Sequence, residues 1–451
     1  MRRSLARRPL SLGLVLGAAL CIAVSMGGVG VADDPGEGRA AGGGAVHSTP
    51  APEAPAGRPA PASGPRRQGV AAPPSPLEGL DPMVHRLEDG RLVSDLPDGR
   101  KAWLSLDPEL QAHVERIFER YEVPFAALVA IEPATGRVLA YVSHSSANPD
   151  AGDLARDPTP PTASVFKVVT AAALLDAGVS SGTRVCYGGG LSRLRPADLQ
   201  DDPARDTRCA TFAEAIGRSI NSVIAKLADR HLDAPTLERY AAAFGFGQRL
   251  PFDLPTRPSP AEVPAERLER ARTAAGFWHM HMSPLHGALI AATVANGGQM
   301  PRASMVDRLE DRSGRVLLRH EPSSFRSVIP RSTARHLSEM MELTVSQGTA
   351  RRSFFDAQGN AFLPGIRVAG KTGSLSAERP YRGYSWWVGH APADHPQIAL
   401  AALVVNSPEW RIKSSYAARE ALREYLVERP RRQAREAAQT REAAAAAAPA
   451  P

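Results

Sequence analysis

The sequence predicts an α+β fold, one antiparallel sheet with helices on its faces. Residues 126–131 and 137–142 are apolar runs joined by Pro133-Ala-Thr-Gly136, which reads as strand, tight turn, strand. Residues 385–388 and 398–406 read as two more strands far down the chain. The sequence between is mostly helical in pattern, and a further helical pattern covers 416–427. Strands at both ends enclosing helices imply an antiparallel sheet covered by those helices.

Composition places this fold within the chain. Of 451 residues, the first 80 and the last 20 or so look unable to bury a core. Five segments are expected: a signal peptide or membrane anchor at 1–32, a Pro/Ala/Gly-rich disordered tether at 33–80, a short lead-in at 81–104, one enzyme-sized domain at 105–428, and an Arg/Ala-rich tail at 429–451, either a weak, frayed helix or disordered. The net charge of +7 is small for this length, with arginines clustered at the termini and no dense basic patch between, which argues against nucleic acid as a partner.

Arg2, Arg3, Arg7 and Arg8 precede an apolar stretch at 10–32, and Asp33 and Asp34 follow it. Basic before and acidic after places the rest of the chain outside the cytoplasm. A cleaved signal, with Gly30-Val31-Ala32 as the cut site, and a retained anchor both fit. Leu20 before Cys21 argues against a lipoprotein anchor. In an oxidising compartment the two remaining cysteines, Cys186 and Cys209, are expected to form a disulfide.

Only five of the 54 basic residues are lysine: Lys101, Lys167, Lys226, Lys371 and Lys413. A chain that meets its surface charge with arginine keeps an amine where a proton must be lost or a compact donor is needed. Lys167 follows Ser164 by three residues at the start of a nearly all-apolar helical run, so both side chains fall on one face of its first turn. Burial and the helix dipole push such a lysine towards its neutral form, able to take the serine proton. A second element, Ser219-Ile-Asn221, lies between a short helix started by the capping box of Thr211 and Glu214 and another helix starting near Ser222. A third, Lys371-Thr372-Gly373-Ser374, reads as an edge strand whose glycines admit a substrate backbone, with a lysine and hydroxyls for a carboxylate. Lys226 has no assigned chemistry, and Lys226→Arg is expected to be nearly silent.

Each element alone is common, but the three in this order resemble the penicillin-binding protein transpeptidase domain, whose family signature they are. Phe244-Gly-Phe-Gly247, Ser283-Pro-Leu285 and Gly348-Thr-Ala350 resemble it too, so the likeness runs over roughly residues 100 to 428. The resemblance implies a five-stranded antiparallel sheet flanked by helices with a mostly helical subdomain, no metal and no cofactor. It implies Ser164 as the acylated nucleophile and Lys167 as its general base, with Ser219 and Asn221 assisting proton transfer and binding substrate. Lys371, Thr372, Gly373 and Ser374 would bind the peptide, and the backbone N–H groups of Ser164 and Ser374 would receive the oxyanion. The implied activity is DD-transpeptidation of peptidoglycan stem peptides, with β-lactams as covalent inhibitors and a membrane glycan polymerase as partner. A DD-carboxypeptidase, a β-lactamase and a non-catalytic scaffold are the alternatives. Two departures stand out: Ser374 replaces the usual threonine, and 276–283 lacks the Gly-x-Gly usual before Ser-Pro-Leu.

Overall fold

The apolar runs at 125–131 and 398–406 pair with each other, from Phe125 opposite Val405 to Ile131 opposite Ala399, at the heart of the molecule. The computed structural model describes residues 75–446, with side chains to 441. The expected signal or anchor and the tether as far as residue 74 lie outside the described residues. Among the described residues no helix is long and apolar enough to cross a membrane.

The described chain opens with three short strands, β1 (Arg86–Glu88), β2 (Arg91–Asp95) and β3 (Lys101–Leu104). Helix α1 (Pro108–Arg120) starts at Asp107, whose carboxylate accepts the Leu110 N–H, with proline in the first turn. Strands β4 (Phe125–Ile131) and β5 (Val138–His144) form the expected hairpin. A 3₁₀ turn at Ala163–Phe166 leads into α2 (Lys167–Asp176), then a small hairpin of β6 (Arg184–Tyr187) and β7 (Arg208–Thr211). Helices α3 (Phe212–Gly217), α4 (Asn221–His231), α5 (Ala234–Ala243), α6 (Arg267–Ala274) and α7 (Pro284–Ala295) make up the helical middle. Four short strands follow, β8 (Gln299–Pro301), β9 (Val306–Glu310), β10 (Val316–Arg319) and β11 (Ser324–Ser327), then α8 (Arg331–Ser346) and α9 (Arg351–Phe354). The chain closes with β12 (Ala369–Glu378), β13 (Tyr381–Ala391), β14 (Ile398–Asn406) and α10 (Ser414–Arg423), which passes through a π turn into α11 (Arg429–Ala446).

The main sheet has the order β12-β13-β14-β4-β5, antiparallel throughout, with β12 at one edge. All nine residues of β14 are buried, because both faces are covered. Ala399, Ala401 and Leu403 join the core that holds α2 and α7, while Leu400, Ala402 and Val404 join the core beneath α1 and α10. The alternation of a strand thus divides the domain into two cores with the sheet between them. Helix α7 is apolar on every side, as a helix buried all round must be.

Two segment expectations need correction, and a third is decided between its alternatives. Residues 75–80, expected to end the tether, are folded, with Leu77 and Leu80 buried in the larger core. The lead-in at 81–104 supplies β1, β2 and β3 of a second five-stranded sheet, completed by β9 and β10 from more than 200 residues later. Its short strands become a sheet only through that distant partner, which no local pattern announces. Of the two alternatives for the tail, frayed helix or disorder, the chain takes the helix, to residue 446. Its Ala-rich stretch favours helix, and Arg429 and Arg432 pin its start through ion pairs with Asp107 (2.7 Å) and Glu109 (2.8 Å).

Candidate active site

The 3₁₀ turn that carries Ser164 is held from three sides. The Trp386 indole N–H donates to the Pro161 carbonyl (2.9 Å), and the Thr162 N–H to the Met280 carbonyl (2.8 Å). Ala163 has φ +49°, a left-handed conformation that a non-glycine residue adopts at a cost of about 1–3 kcal/mol. Gly276 backs this turn: a Cβ there would stand 2.3 Å from the Ala163 carbonyl oxygen, and its own φ is +85°. Gly373 of β12 closes on it from the sheet, with room for a Cβ only 3.1 Å from that of Ala163. The expected α-helical first turn is therefore 3₁₀ in form, and α2 proper starts at Lys167.

Lys167 is fully buried, and its Nζ meets three oxygens: Ser164 Oγ at 2.7 Å, Asn221 Oδ1 at 2.5 Å and the Ala275 carbonyl at 2.6 Å. Burial, with the neighbouring Lys371 charge adding to it, holds this ammonium well below the usual lysine range. Asn221 is the first residue of α4, and its amide N–H donates to the Leu191 carbonyl. Thr211 and Glu214 form the expected capping box of α3, which ends at Gly217. Ser219 lies between α3 and α4 with φ +56°, a second strained residue at the site.

Lys371 of β12, also fully buried, donates from Nζ to Ser219 Oγ (3.0 Å) and to the Thr372 carbonyl (2.9 Å). Burial lowers it to about 7. The Thr372 hydroxyl bonds that of Thr349, and Ser374 stands exposed on the edge strand opposite Ser385 of β13. An open cleft of about 420 Å³ is lined by Ser164, Ser219, Asn221, Thr349, Thr372 and Ser374, with the exposed cations Arg218 and Lys413 also at its walls.

The structure thus draws Ser164, Lys167 and Asn221 into one cluster, and Ser219 and Lys371 into a second beside it. Cys186 and Cys209 are bonded to each other as directly opposed residues of β6 and β7. Sequence reasoning missed three contributors: the Ala275 carbonyl, Gly276 and the Thr349 hydroxyl. The first is backbone and carries no residue signal. Gly276 stands where the usual Gly-x-Gly is lacking, so its fit against Ala163 emerges only in three dimensions. Thr349 lies in a stretch already quoted for its likeness and so was findable. Lys226 is buried and meets Asp206, Asp201 (3.2 Å) and the Cys186 carbonyl (3.0 Å). It is part of an internal ion pair, so the expectation of a silent Lys226→Arg does not fit its surroundings. His286, one of three histidines near this loop, has both ring nitrogens engaged, by Ser259 Oγ (2.7 Å) and the Phe244 carbonyl (2.9 Å), as a satisfied core histidine.

The family model of the penicillin binding protein transpeptidase domain matches residues 126–426. Peptidoglycan D,D-transpeptidase PbpA of Mycobacterium tuberculosis is 28% identical over 323 residues, which are 63% of this chain and 62% of that protein. Stage V sporulation protein D of Bacillus subtilis is 26% identical over 68% of this chain and 50% of its own length. The chain therefore spans between half and two thirds of the length of these relatives. Among solved structures, that of PBPA from Mycobacterium tuberculosis superposes with a TM-score of 0.59 at 24% identity, covering 71% of this chain and 81% of that one. The imipenem acyl-enzyme complex of penicillin-binding protein A from M. tuberculosis gives 0.60 at 25% identity, over 73% and 80%. With the antiparallel sheet, a cleft serine bonded to a buried lysine and a match across two thirds of its length, the chain belongs to the penicillin-binding protein transpeptidase family.

Proposed function

We propose that this protein is a serine D,D-transpeptidase that cross-links peptidoglycan stem peptides outside the cytoplasm. The observation that carries the reading is the set of contacts around Lys167. A neutral amine has two N–H donors and one lone pair. The Asn221 and Ala275 oxygens, at 2.5 and 2.6 Å, take up the two donors. The lone pair is left facing Ser164 Oγ, 2.7 Å away, positioned to receive its proton. A buried lysine with a depressed pKa is the base such a step needs.

The stem peptide lies along the edge strand β12, with its terminal carboxylate near Lys371 and the hydroxyls of Thr372 and Thr349. Ser164 Oγ attacks the carbonyl of the penultimate D-alanine as Lys167 takes its proton, and the oxyanion forms against the backbone N–H groups of Ser164 and Ser374. The C–N bond breaks, and the proton passes through the Lys167–Ser219 side of the cleft to the departing D-alanine amine. An acceptor amine then attacks the acyl-Ser164 ester, gives up a proton by the same route, and frees the serine as the new amide forms. A β-lactam enters the first half of this cycle and stays, because ring opening leaves the departing amine tethered.

The basic, apolar and acidic order of residues 2–34 supports export, as signal or anchor, and a membrane glycan polymerase fits as the source of uncross-linked strands. The test is incubation with a labelled penicillin, mass spectrometry of the adduct, and product analysis on a stem pentapeptide with an amine acceptor. A label on Ser164 and a cross-linked product support the proposal. A label on another serine removes the mechanism, and release of D-alanine with no cross-link reassigns the acceptor to water.

A further inference from the structure

The two oxygens that engage the N–H groups of Lys167 come from separate elements, α4 (Asn221) and the end of α6 (Ala275), and one loop holds both. Residues 187–208 form that loop, closed at its base by the Cys186–Cys209 bond. On the α4 side, the Leu191 carbonyl accepts the Asn221 amide N–H. Gly190 packs so near that a Cβ there would meet the Ser222 Cβ at 2.9 Å. On the α6 side, the Leu194 carbonyl accepts from Arg272 (2.7 Å). Leu194 and Leu199 fill a small apolar core with Ala225 of α4, Ala271 of α6 and Ala275. The loop is thus a wedge seated between the two carriers of the Lys167 contacts.

A single ionic group fixes the wedge. Lys226, five residues beyond Asn221 on α4, is 1% exposed and bonds Asp206 and Asp201 of the loop together with the carbonyl of Cys186 at its base. Arg230 of the same helix also reaches Asp201. Asp206, 9% exposed, has Arg205 as its other charged neighbour, at 3.5 Å. Removing one member of this pair leaves the other with a more distant charged neighbour, Asp201 for Lys226 at 3.2 Å or Arg205 for Asp206 at 3.5 Å, so the loop is held most firmly while both members are present.

We propose that the Lys226–Asp206 pair positions Lys167, by seating the 187–208 loop so that Asn221 Oδ1 and the Ala275 carbonyl stay within hydrogen-bond reach of its amine. The assignment rests on the reading of Lys167 as the base. Neither residue touches substrate; both are positioning residues. Unseating the loop admits water between α4 and α6. The groups that face Lys167 are Ser164, Asn221, the Ala275 carbonyl and, from β12, the charged Lys371. Desolvation is the larger cause of its lowered basicity, so hydration raises it.

The test is the pH dependence of penicillin acylation, read as label on Ser164, for the wild type, Asp206→Asn and Asp206→Glu, with thermal melting as the folding control. Asp206→Asn is expected to acylate about tenfold or more slowly at neutral pH, as small misplacements of catalytic groups do. Its acid limb should move to higher pH by about half a unit or more, and Asp206→Glu should recover most of both. An acid limb that stays in place in folded Asp206→Asn overturns the assignment, whatever the rate, because a merely structural pair lowers stability without changing the base. If Asp206→Asn does not fold, Lys226→Gln/Asp206→Asn, which leaves no bare buried charge, is read against the same criterion. A wild type that labels elsewhere than Ser164 removes the reading of the site itself, and this assignment with it.

Discussion

Lys371 Nζ lies 3.0 Å from Ser219 Oγ across 152 residues of sequence, tying the edge strand to the α3–α4 junction. The contact brings a second buried amine beside the first, and the Lys371 charge adds to the depression of Lys167. On the proposed mechanism the two amines have opposite needs: Lys167 must be neutral to take a proton, whereas Lys371 must be charged to hold a carboxylate.

That opposition predicts a bell-shaped kcat/KM for carboxylate-bearing substrates. Lys167 protonates as pH falls through its lowered pKa, so the rate declines on the acid side. Lys371 sits at about 7 in the free enzyme and loses its charge above that, so the rate declines again on the alkaline side. Acylation by penicillin G and by its methyl ester, measured from about pH 5 to 10, separates the two. The acid limb should persist for both, and the alkaline limb should shrink for the ester. An alkaline limb that is the same for both would show that Lys371 does not anchor the carboxylate.

Arginine substitution ranks the same two lysines. Lys167→Arg keeps the charge but cannot give up its proton, so acylation should fall by about 10²–10⁴-fold. Lys371→Arg should fall less, since guanidinium also pairs with carboxylate, although full burial leaves little space for it. Acylation rates on variants with wild-type circular dichroism decide the order. Near wild-type acylation by Lys167→Arg would make that lysine structural.

The glycines around Ser164 test how tightly its turn is held. Gly276→Ala adds a Cβ 2.3 Å from the Ala163 carbonyl at a φ of +85°, so the turn or the loop must move. Gly373→Ala meets Ala163, Thr162 and Val165 at 3.1 to 3.2 Å, which a shift of a few tenths of an ångström relieves. Gly276→Ala should therefore cost more, with about 10²-fold or more lost from acylation and a lower melting temperature. The reverse order would mean that the strand, not the 276 loop, sets the position of the serine.

How much of this was legible in the sequence depends on the range of the interactions. β4, β5 and β14 carry continuous apolar runs because both sheet faces are covered, and the runs fixed their positions within a residue or two. Strand β13 is longer than the expected 385–388: Tyr381 to Tyr384 pair while less completely buried, and Gly389 to Ala391 pair beyond the apolar run through a glycine and a histidine. The three motifs were readable as residue types at set spacings, while the scarcity of lysine marked all five lysines alike, of which Lys167, Lys226 and Lys371 are buried and Lys101 and Lys413 are not. The second sheet was not readable, since β3 pairs with β9, which lies far away in sequence, and no local pattern marks that pairing. The third member of the Lys167 contacts, a backbone carbonyl at Ala275, had no side chain to announce it.

Lys226 shows where the reading by residue type stopped short. Without chemistry assigned to it, Lys226→Arg was expected to be nearly silent, but Nζ is buried against two carboxylates and a carbonyl. A longer, planar guanidinium overfills such a site, at about 1–3 kcal/mol. Urea denaturation should show that loss, against a change within about 0.5 kcal/mol for an exposed position. A midpoint equal to wild type would mean the pocket adapts and the pair carries little.

The disulfide gives a prediction with two readouts. Cys186 and Cys209 are directly opposed on β6 and β7 and are separated by 23 positions in sequence. Closing a loop of that size removes entropy from the unfolded chain worth about 3 kcal/mol in the chain-entropy model. Reduction, or Cys186→Ser/Cys209→Ser, should lower stability by roughly that amount in urea. The effect on acylation should be smaller than that of Asp206→Asn, because Lys226 still binds Asp206 and the Cys186 carbonyl after the S–S bond is gone. Non-reducing peptide mapping of protein made in an oxidising compartment establishes the starting state. Both thiols found free there would refute the bridge. A reduced protein with unchanged stability would show instead that the ionic group alone holds the loop.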